Sequence, residues 1–272
     1  MTFYPELVAV NSEIADTENP HKLLFCCLGS GSKGNATLVK YADTTVMIDC
    51  GFTYKHTIAQ LEAFDIDPQS LDAVLVTHEH SDHIKGVRTL SRKLNIPVYL
   101  THGTARSDKI KGAPELQYLV PDVALRIKDI EIIPVTVPHD AHEPCQFLLR
   151  AQGRQLGVVT DLGSISGHVQ HMFDGCDALV LEANHDVQML RTGPYPPSLK
   201  HRVESDWGHL SNEQAVAFLD ALPTLPSRLV LAHISEKNNC LNVVKNTFQR
   251  FESRIPTVVY ACQNKGFDWL EV

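Results

Sequence analysis

The chain has 272 residues, enough for one large α/β domain or two small ones. Its 24 Lys and Arg against 32 Asp and Glu give a net charge of −8, which argues against non-specific electrostatic binding of nucleic acid by the whole surface. The sequence shows no apolar run of membrane-spanning length, no secretory signal and no CxxC pair among its seven cysteines, so we expect a soluble, cytoplasmic protein without a membrane partner.

Residues 1–21 are predicted to form a mobile or loosely docked N-terminal extension, and residues 22–272 a single domain. Three β-rich runs open that domain, "KLLFCCLG", "ATLVKYAD" and "TTVMIDCG", and an amphipathic helix is predicted from Tyr54 to Phe64. Further helices are predicted at about residues 82–94, after His102, after Ser164, and between Asn238 and Phe251. This alternation predicts an α/β fold.

Four later apolar runs each end in polar side chains: "DAVLVTHEH", "QLGVVTD", "DALVLEANHD" and "RLVLAHIS". Continuous apolar runs are typical of strands buried on both faces, and reactive groups of α/β folds collect where such strands end. We therefore expect His78, Asp161, Glu182 and His233 to converge on one edge, although they are far apart in the chain.

The clearest helix start is "GHLSNEQAVAFLDALP", in which Ser211 can cap the helix, Gln214 can complete a capping box, and Pro223 ends it. His209 directly precedes this helix. Free backbone N–H groups and the helix dipole favour anions at such a position.

A metal site is indicated by "THEHSDH", which places His78, His80, Asp82 and His83 after a buried strand. Imidazole nitrogens and carboxylate oxygens suit Zn²⁺, Mn²⁺ or Fe²⁺, and the absence of cysteine disfavours a closed structural zinc site. A histidine-rich surface loop is the alternative, but the buried strand argues against it.

Downstream, "VTVPHDAHEP", "VVTDLG" and "VLAHIS" supply His139, Asp161 and His233. We predict two divalent ions, zinc or manganese with iron as a further candidate. One ion would be held by His78, His80 and His139, the other by Asp82, His83 and His233, with Asp161 between them. Two ions about 3.5–4 Å apart can hold a bridging hydroxide for hydrolysis.

The motif HxHxDH, followed by His, Asp and His in that order, resembles the metallo-β-lactamase superfamily. The resemblance implies a four-layer αββα sandwich, and "MIDCG" resembles the motif whose acidic residue, here Asp49, supports the ligands without binding metal. His83 disfavours a common lactamase, which would lack it, and His80 disfavours a flavodiiron-type protein, which would have Glu there.

Three further stretches, "CLGSGSKGNATLV", "LEANHDVQMLRTGPYPPSLKHRV" and "DWGHLSNEQA", are similar to the YycJ/WalJ group of the superfamily. This resemblance implies a phosphodiesterase that acts as a 5′ to 3′ exonuclease, on DNA rather than RNA, with a part in repair. The 72 positions from Asp161 to His233 leave no room for a β-CASP domain. The nucleic acid must then be held by the edge loops, by a partner protein or by a homo-oligomer.

Three residues are predicted to be catalytic: Asp82 as a metal anchor, and a Glu182–His209 pair like that of RNase Z-type enzymes. A carboxylate beside an imidazole can keep it protonated, so that His209 assists the leaving alkoxide. A cap neighbour without chemistry is the alternative for His209, and a structural hydrogen bond is the alternative for Glu182.

Substrate contacts are predicted from polar and basic residues near these motifs. The set comprises Ser32 and Asn35 in a Gly-rich loop, His185, Lys200 and Arg202. A tight turn explains the Gly-rich loop equally well, and a solvated surface explains the basic residues.

Two alternative functions stay open at this point. The same ions could serve a thioesterase or a hydrolase of small phosphodiesters, since such thioesterases share HxHxDH. A regulatory or nucleic-acid-binding module without turnover is the third reading.

Overall fold

A computed structural model describes residues 21–272, so all but the last residue of the predicted extension 1–21 lies outside the described residues. The boundary between extension and domain stays a prediction.

The strands are β1 (Leu24–Gly29), β2 (Ala36–Tyr41), β3 (Thr44–Ile48), β4 (Ala73–Leu75), β5 (Val98–Leu100), β6 (Leu116–Tyr118), β7 (Leu125–Ile127), β8 (Ile130–Thr136), β9 (Cys145–Ala151), β10 (Arg154–Val159), β11 (Ala178–Glu182), β12 (Arg228–Ala232), β13 (Thr257–Tyr260) and β14 (Phe267–Glu271). The helices are α1 (Tyr54–Ala63), α2 (Ser81–Ile84), α3 (Val87–Leu94), α4 (Gly167–Phe173), α5 (Val187–Thr192), α6 (Pro197–Glu204), α7 (Asn212–Ala221) and α8 (Leu241–Glu252), with 3₁₀ turns at Pro68–Ser70 and Thr104–Arg106.

Within residues 21–272 the strands form two seven-stranded sheets. The first has the order β14-β1-β2-β3-β4-β5-β6 and the second β13-β12-β11-β10-β9-β8-β7. In each sheet one half is antiparallel and the other parallel: β3 to β6 run parallel in the first sheet, as do β10 to β13 in the second. The carboxyl ends of β10, β11 and β12 therefore lie at one edge of the second sheet.

Successive side chains of a strand point to opposite faces of its sheet, and the buried apolar ones form three layers. In β12, Val230 packs between the sheets with Phe25 and Phe147, whereas Leu229 and Leu231 pack on the opposite face against α7 and α8. Helices α1 and α3 cover the other sheet through a third cluster. The order helix, sheet, sheet, helix confirms the predicted αββα sandwich.

The predicted strands at the start of the domain and at the four polar-ended runs are confirmed, as is the capping box of Ser211 and Gln214. The single helix predicted at residues 82–94 is wrong: it is divided into α2 and α3 at Lys85 and Gly86. Gly86 N donates to the Cys50 carbonyl oxygen at 2.8 Å instead of to the preceding helical turn, so contact with the neighbouring loop interrupts the helix. A side chain at Gly86 would also place its Cβ 2.2 Å from the carbonyl oxygen of Phe52. The helix predicted after His102 is only the 3₁₀ turn Thr104–Arg106.

Within the described part of the chain, no helix has the length and apolarity to cross a membrane.

Candidate metal centre

The loop after β4 carries the motif histidines, and backbone hydrogen bonds tie it to two other loops. Asn35 N donates to the Asp82 carbonyl oxygen at 2.8 Å, and Cys50 N donates to the His83 carbonyl oxygen at 2.8 Å. Gly51 lies so close that an added Cβ would sit 1.7 Å from the Asp82 carbonyl oxygen. Three loops thus meet without space between them, which fixes the position of the motif.

A first donor set consists of His78, His80 and His139. His80 Nδ1 lies 3.0 Å from His78 Nε2 and 3.3 Å from His139 Nε2. Burial holds the pKa of His78 well below its ordinary value and lowers that of His139 to about 4. Neutral rings whose nitrogens converge in this way present lone pairs to one point, as a metal ion requires.

A second donor set consists of Asp82, His83, Asp161 and His233. His83 Nε2 lies 3.6 Å from Asp82 Oδ2 and 3.3 Å from Asp161 Oδ2. His233 Nε2 lies 4.0 Å from Asp82 Oδ2. Asp161 is 1% exposed, and its Oδ2 makes no hydrogen bond although it is buried. An unsatisfied carboxylate oxygen among imidazole nitrogens is what a bound cation would satisfy.

The charges of the second set also favour a cation. Burial opposes ionisation of Asp161, but His233 and His83 hold its pKa well below the ordinary value. Burial likewise opposes protonation of His233, yet Asp161 and Glu182 raise its pKa to about 9. The carboxylates are therefore stabilised by positive charge at this point, which a divalent ion could supply.

Hydrogen bonds from the surrounding residues select which ring nitrogen each histidine presents. Asp49 Oδ2 lies 2.7 Å from His83 Nδ1, and the Gly208 carbonyl oxygen accepts a hydrogen bond from His139 Nδ1 at 3.0 Å. Glu182 Oε1 lies 2.9 Å from His233 Nδ1. Each Nδ1 thus faces an oxygen acceptor, which leaves Nε2 as the ring nitrogen turned towards the other donors. Because the pKa values of His83 and His233 are raised, a metal ion at those two Nε2 atoms would take the place of a proton.

The backbone at three of these positions is left-handed: φ is 60° at Asp49, 55° at Asp161 and 52° at His233. Residues other than glycine seldom adopt this region, and within residues 21–272 these three are among nine that do; the other six are not part of the donor sets. All three residues lie within two positions of a strand end, where a sharp turn directs the side chain into the site.

The structure brings the predicted pair Glu182 and His209 together. His209 Nδ1 donates to Glu182 Oε1 at 2.8 Å, and the His209 side chain is 21% exposed on the wall of the cleft. Burial lowers the pKa of His209, but the Glu182 carboxylate outweighs it and raises the pKa above the ordinary value. A protonated ring facing the cleft can donate to a leaving group.

A cleft of about 310 Å³ opens over both donor sets, and its lining includes Ser32 and Arg202 from the predicted substrate contacts. Asn35 instead lies beneath the motif loop, with Nδ2 3.1 Å from His83 Nε2. The structure does not bring His185 or Lys200 to the cleft. His185 is 1% exposed and outside its lining, and the Lys200 ammonium donates to the Arg191 carbonyl oxygen at 2.8 Å.

Sequence reasoning missed Thr77 and Asp140. Thr77 Oγ1 donates to Asp49 Oδ2 at 2.8 Å and lies 2.9 Å from His78 Nδ1, so it joins the two donor sets. Asp140 pairs with Arg202 and lies 3.7 Å from His80 Nε2. The sequence marks Asp140 only by its position beside His139, and nothing marks Thr77.

A family model described as "Beta-lactamase superfamily domain" matches residues 44–234. The exodeoxyribonuclease YycJ of Bacillus anthracis is 39% identical over 223 residues, which cover 80% of this chain and 84% of that protein. The exodeoxyribonuclease WalJ of Streptococcus pneumoniae is 33% identical over 222 residues, 79% of this chain and 82% of the relative. Zinc-bound PqqB of Methylobacterium extorquens shares the fold with a TM-score of 0.72 at 15% identity, over 92% of this chain and all of that one. The chain therefore belongs to the β-lactamase superfamily and, within it, to the group of the YycJ and WalJ proteins.

Proposed function

We propose that this protein is a metal-dependent phosphodiesterase that acts as a 5′ to 3′ exonuclease on DNA. The observation that carries the proposal is His209, which lies on the wall of the same cleft in which the two donor sets converge and is hydrogen-bonded to the buried Glu182. The names of the two relatives, both exodeoxyribonucleases, support DNA as the substrate. The free state of all seven cysteines supports a reducing, cytoplasmic location.

The donor sets fit two divalent ions, with zinc or manganese preferred and iron third. His78, His80 and His139 would hold one ion and Asp82, His83 and His233 the other, with Asp161 between them. Bound there, the ions supply Lewis-acid chemistry: they polarise the phosphodiester and lower the pKa of water.

The chain's own residues then orient the substrate and move the proton. Asp49 and Glu182 hold the histidine ligands in position, and the Glu182–His209 bond leaves His209 Nε2 as the ring nitrogen available to the substrate. His209 would donate its proton to the leaving alkoxide. Ser32 and Arg202, on the cleft lining, are placed to contact phosphate oxygens.

The test compares wild type with Asp161→Ala and with Asp220→Ala, which removes an exposed carboxylate paired with Arg250. Bound metal is measured by mass spectrometry, and 5′-phosphorylated single-stranded and duplex DNA, labelled at either end, is assayed with Mn²⁺ or Zn²⁺. We expect wild type and Asp220→Ala to release nucleotides from the 5′ end, and Asp161→Ala to lose both metal and activity. Equal activity of all three proteins would contradict the proposal. Turnover of acyl-glutathione or cyclic nucleotides, with none of DNA, would favour the thioesterase or small-substrate reading.

A further inference from the structure

A second cleft opens beside the candidate metal centre. Its volume is about 410 Å³, and it is lined by Ser81, Lys85, Arg88, Thr89 and Lys109. Ser81 also lines the cleft over the donor sets, directly before Asp82 in the chain. The two clefts therefore meet at the start of α2.

The three cations of the second cleft have no carboxylate partner in the structure from residue 21 onward. Lys109 Nζ donates to Ser81 Oγ, Arg88 Nη1 donates to the Lys111 carbonyl oxygen at 3.4 Å, and the exposed Lys85 side chain makes no ion pair. The nearby carboxylate of Asp108 is paired with Lys111. The positive charge of the cleft is thus available to a ligand.

Three basic residues on the other side of the metal centre do have carboxylate partners. Arg202 is paired with Asp140, Arg191 with Glu204, and Lys33 with Glu236. In a chain with a net charge of −8, three cations left without counter-charge around a concave surface are a specific feature.

We propose that this second cleft binds backbone phosphates of the nucleic-acid strand whose end lies at the metal centre, an inference that rests on the proposed function. Lys and Arg contact phosphates irrespective of base sequence, and a strand carries one phosphate per nucleotide. A basic cleft continuous with the metal centre can therefore bind a strand of any sequence. Such a grip is what a chain without a β-CASP domain requires.

The test compares the double variant Lys85→Ala/Arg88→Ala with the matched control Lys245→Ala/Arg254→Ala. The control pair removes the exposed Lys245 of α8 and the exposed Arg254 two residues after it, on the helical layer of the opposite sheet. Binding of a fluorescent single-stranded oligonucleotide is measured by anisotropy in EDTA, and hydrolysis is measured with metal on the same DNA and on bis(p-nitrophenyl) phosphate. Bound metal is quantified for each protein.

We expect Lys85→Ala/Arg88→Ala to raise Kd about fivefold to tenfold, the size expected for two exposed ionic contacts. The slope of log Kd against log salt should fall by about 1.4, because two phosphate contacts with a single strand are lost. KM for DNA should rise, while the small diester is hydrolysed as by wild type and bound metal is unchanged. The control double should bind as wild type does.

Equal Kd values for the two doubles would overturn the inference and leave the exonuclease proposal standing. An equal loss on DNA and on the small diester would also overturn it, since the substitutions would then act through the metal loop. If the selective loss of binding is seen but wild type degrades no DNA with any metal, the second cleft is supported and the exonuclease proposal fails.

Discussion

Replacement of Glu182 by Gln tests whether this residue orients the histidines of the site, because it removes a hydrogen-bond acceptor without removing any residue of the two donor sets. Glu182 is fully buried, and each of its oxygens accepts two hydrogen bonds. Oε1 is 2.8 Å from His209 Nδ1 and 2.9 Å from His233 Nδ1, while Oε2 accepts from Leu162 N at 3.0 Å and Leu210 N at 3.2 Å. A carboxamide has nearly the same shape, but its NH₂ group donates and cannot accept.

Two of the four donors therefore lose their acceptor in Glu182→Gln. If the NH₂ group faces Leu162 N and Leu210 N, these two backbone donors stay unsatisfied at about 1–3 kcal/mol each, so the free energy of unfolding should fall by roughly 2–6 kcal/mol. If the NH₂ group faces His233, the ring binds it through an unprotonated Nδ1 and carries its proton on Nε2. That nitrogen faces Asp82, and blocking it should weaken metal binding about 10–100-fold.

Urea unfolding in EDTA measures the first effect, and calorimetric titration of the apo protein with Zn²⁺ measures the second. The control is Glu204→Gln, which breaks an exposed pair with Arg191 and should change the unfolding free energy by less than about 1 kcal/mol. The reasoning is refuted if both variants unfold alike and bind Zn²⁺ alike.

Two more predictions concern local geometry, and a third concerns bound metal. Gly51→Ala should abolish metal binding, because the added Cβ would displace the Asp82 backbone. The control Gly167→Ala, at the start of α4, has open space around its Cβ and should keep metal binding and full stability. Titration of both apo variants with Zn²⁺ checks this. Ser211→Ala should lower the unfolding free energy by about 1 kcal/mol in urea melts, since its hydroxyl accepts from Gln214 N at 3.2 Å. EDTA should lower Tm, because ions at a hundred times their Kd stabilise the fold by about 2.7 kcal/mol; an unchanged Tm in scanning calorimetry would contradict metal binding.

The parts of the fold and site that sequence reasoning predicted are those with a local signal. Strands such as β11 and β12 are continuous apolar runs, and the motif from His78 to His83 is a dense set of nitrogen and oxygen donors. The capping box of Ser211 and Gln214 is likewise a pattern of four residues, and it predicts a helix start because the two side chains hydrogen-bond to each other's backbone N–H groups. In these cases the chemistry and the spacing lie in one short segment.

The parts that were missed depend on contacts between distant segments. The helix is interrupted at Gly86 because the Gly86 N–H is bonded to the Cys50 carbonyl oxygen, and no feature of residues 82–94 indicates that partner. Strands β5 and β6 have three residues each, too few for a period to emerge. Lys200 is predicted to contact substrate from its charge and its position near the motifs, but in the structure its ammonium donates to the Arg191 carbonyl oxygen.

The left-handed residues show how fold and site depend on each other. Asp49, Asp161 and His233 each adopt a conformation that costs of order 1–3 kcal/mol. Glycine would remove that cost but would also remove the carboxylate or imidazole, so the strain is retained where the side chain is needed. The strands that precede these turns are buried in the apolar core. The strand ends thus fix where each side chain emerges, and the carboxylates of Asp49 and Glu182 fix which nitrogen His83 and His233 present.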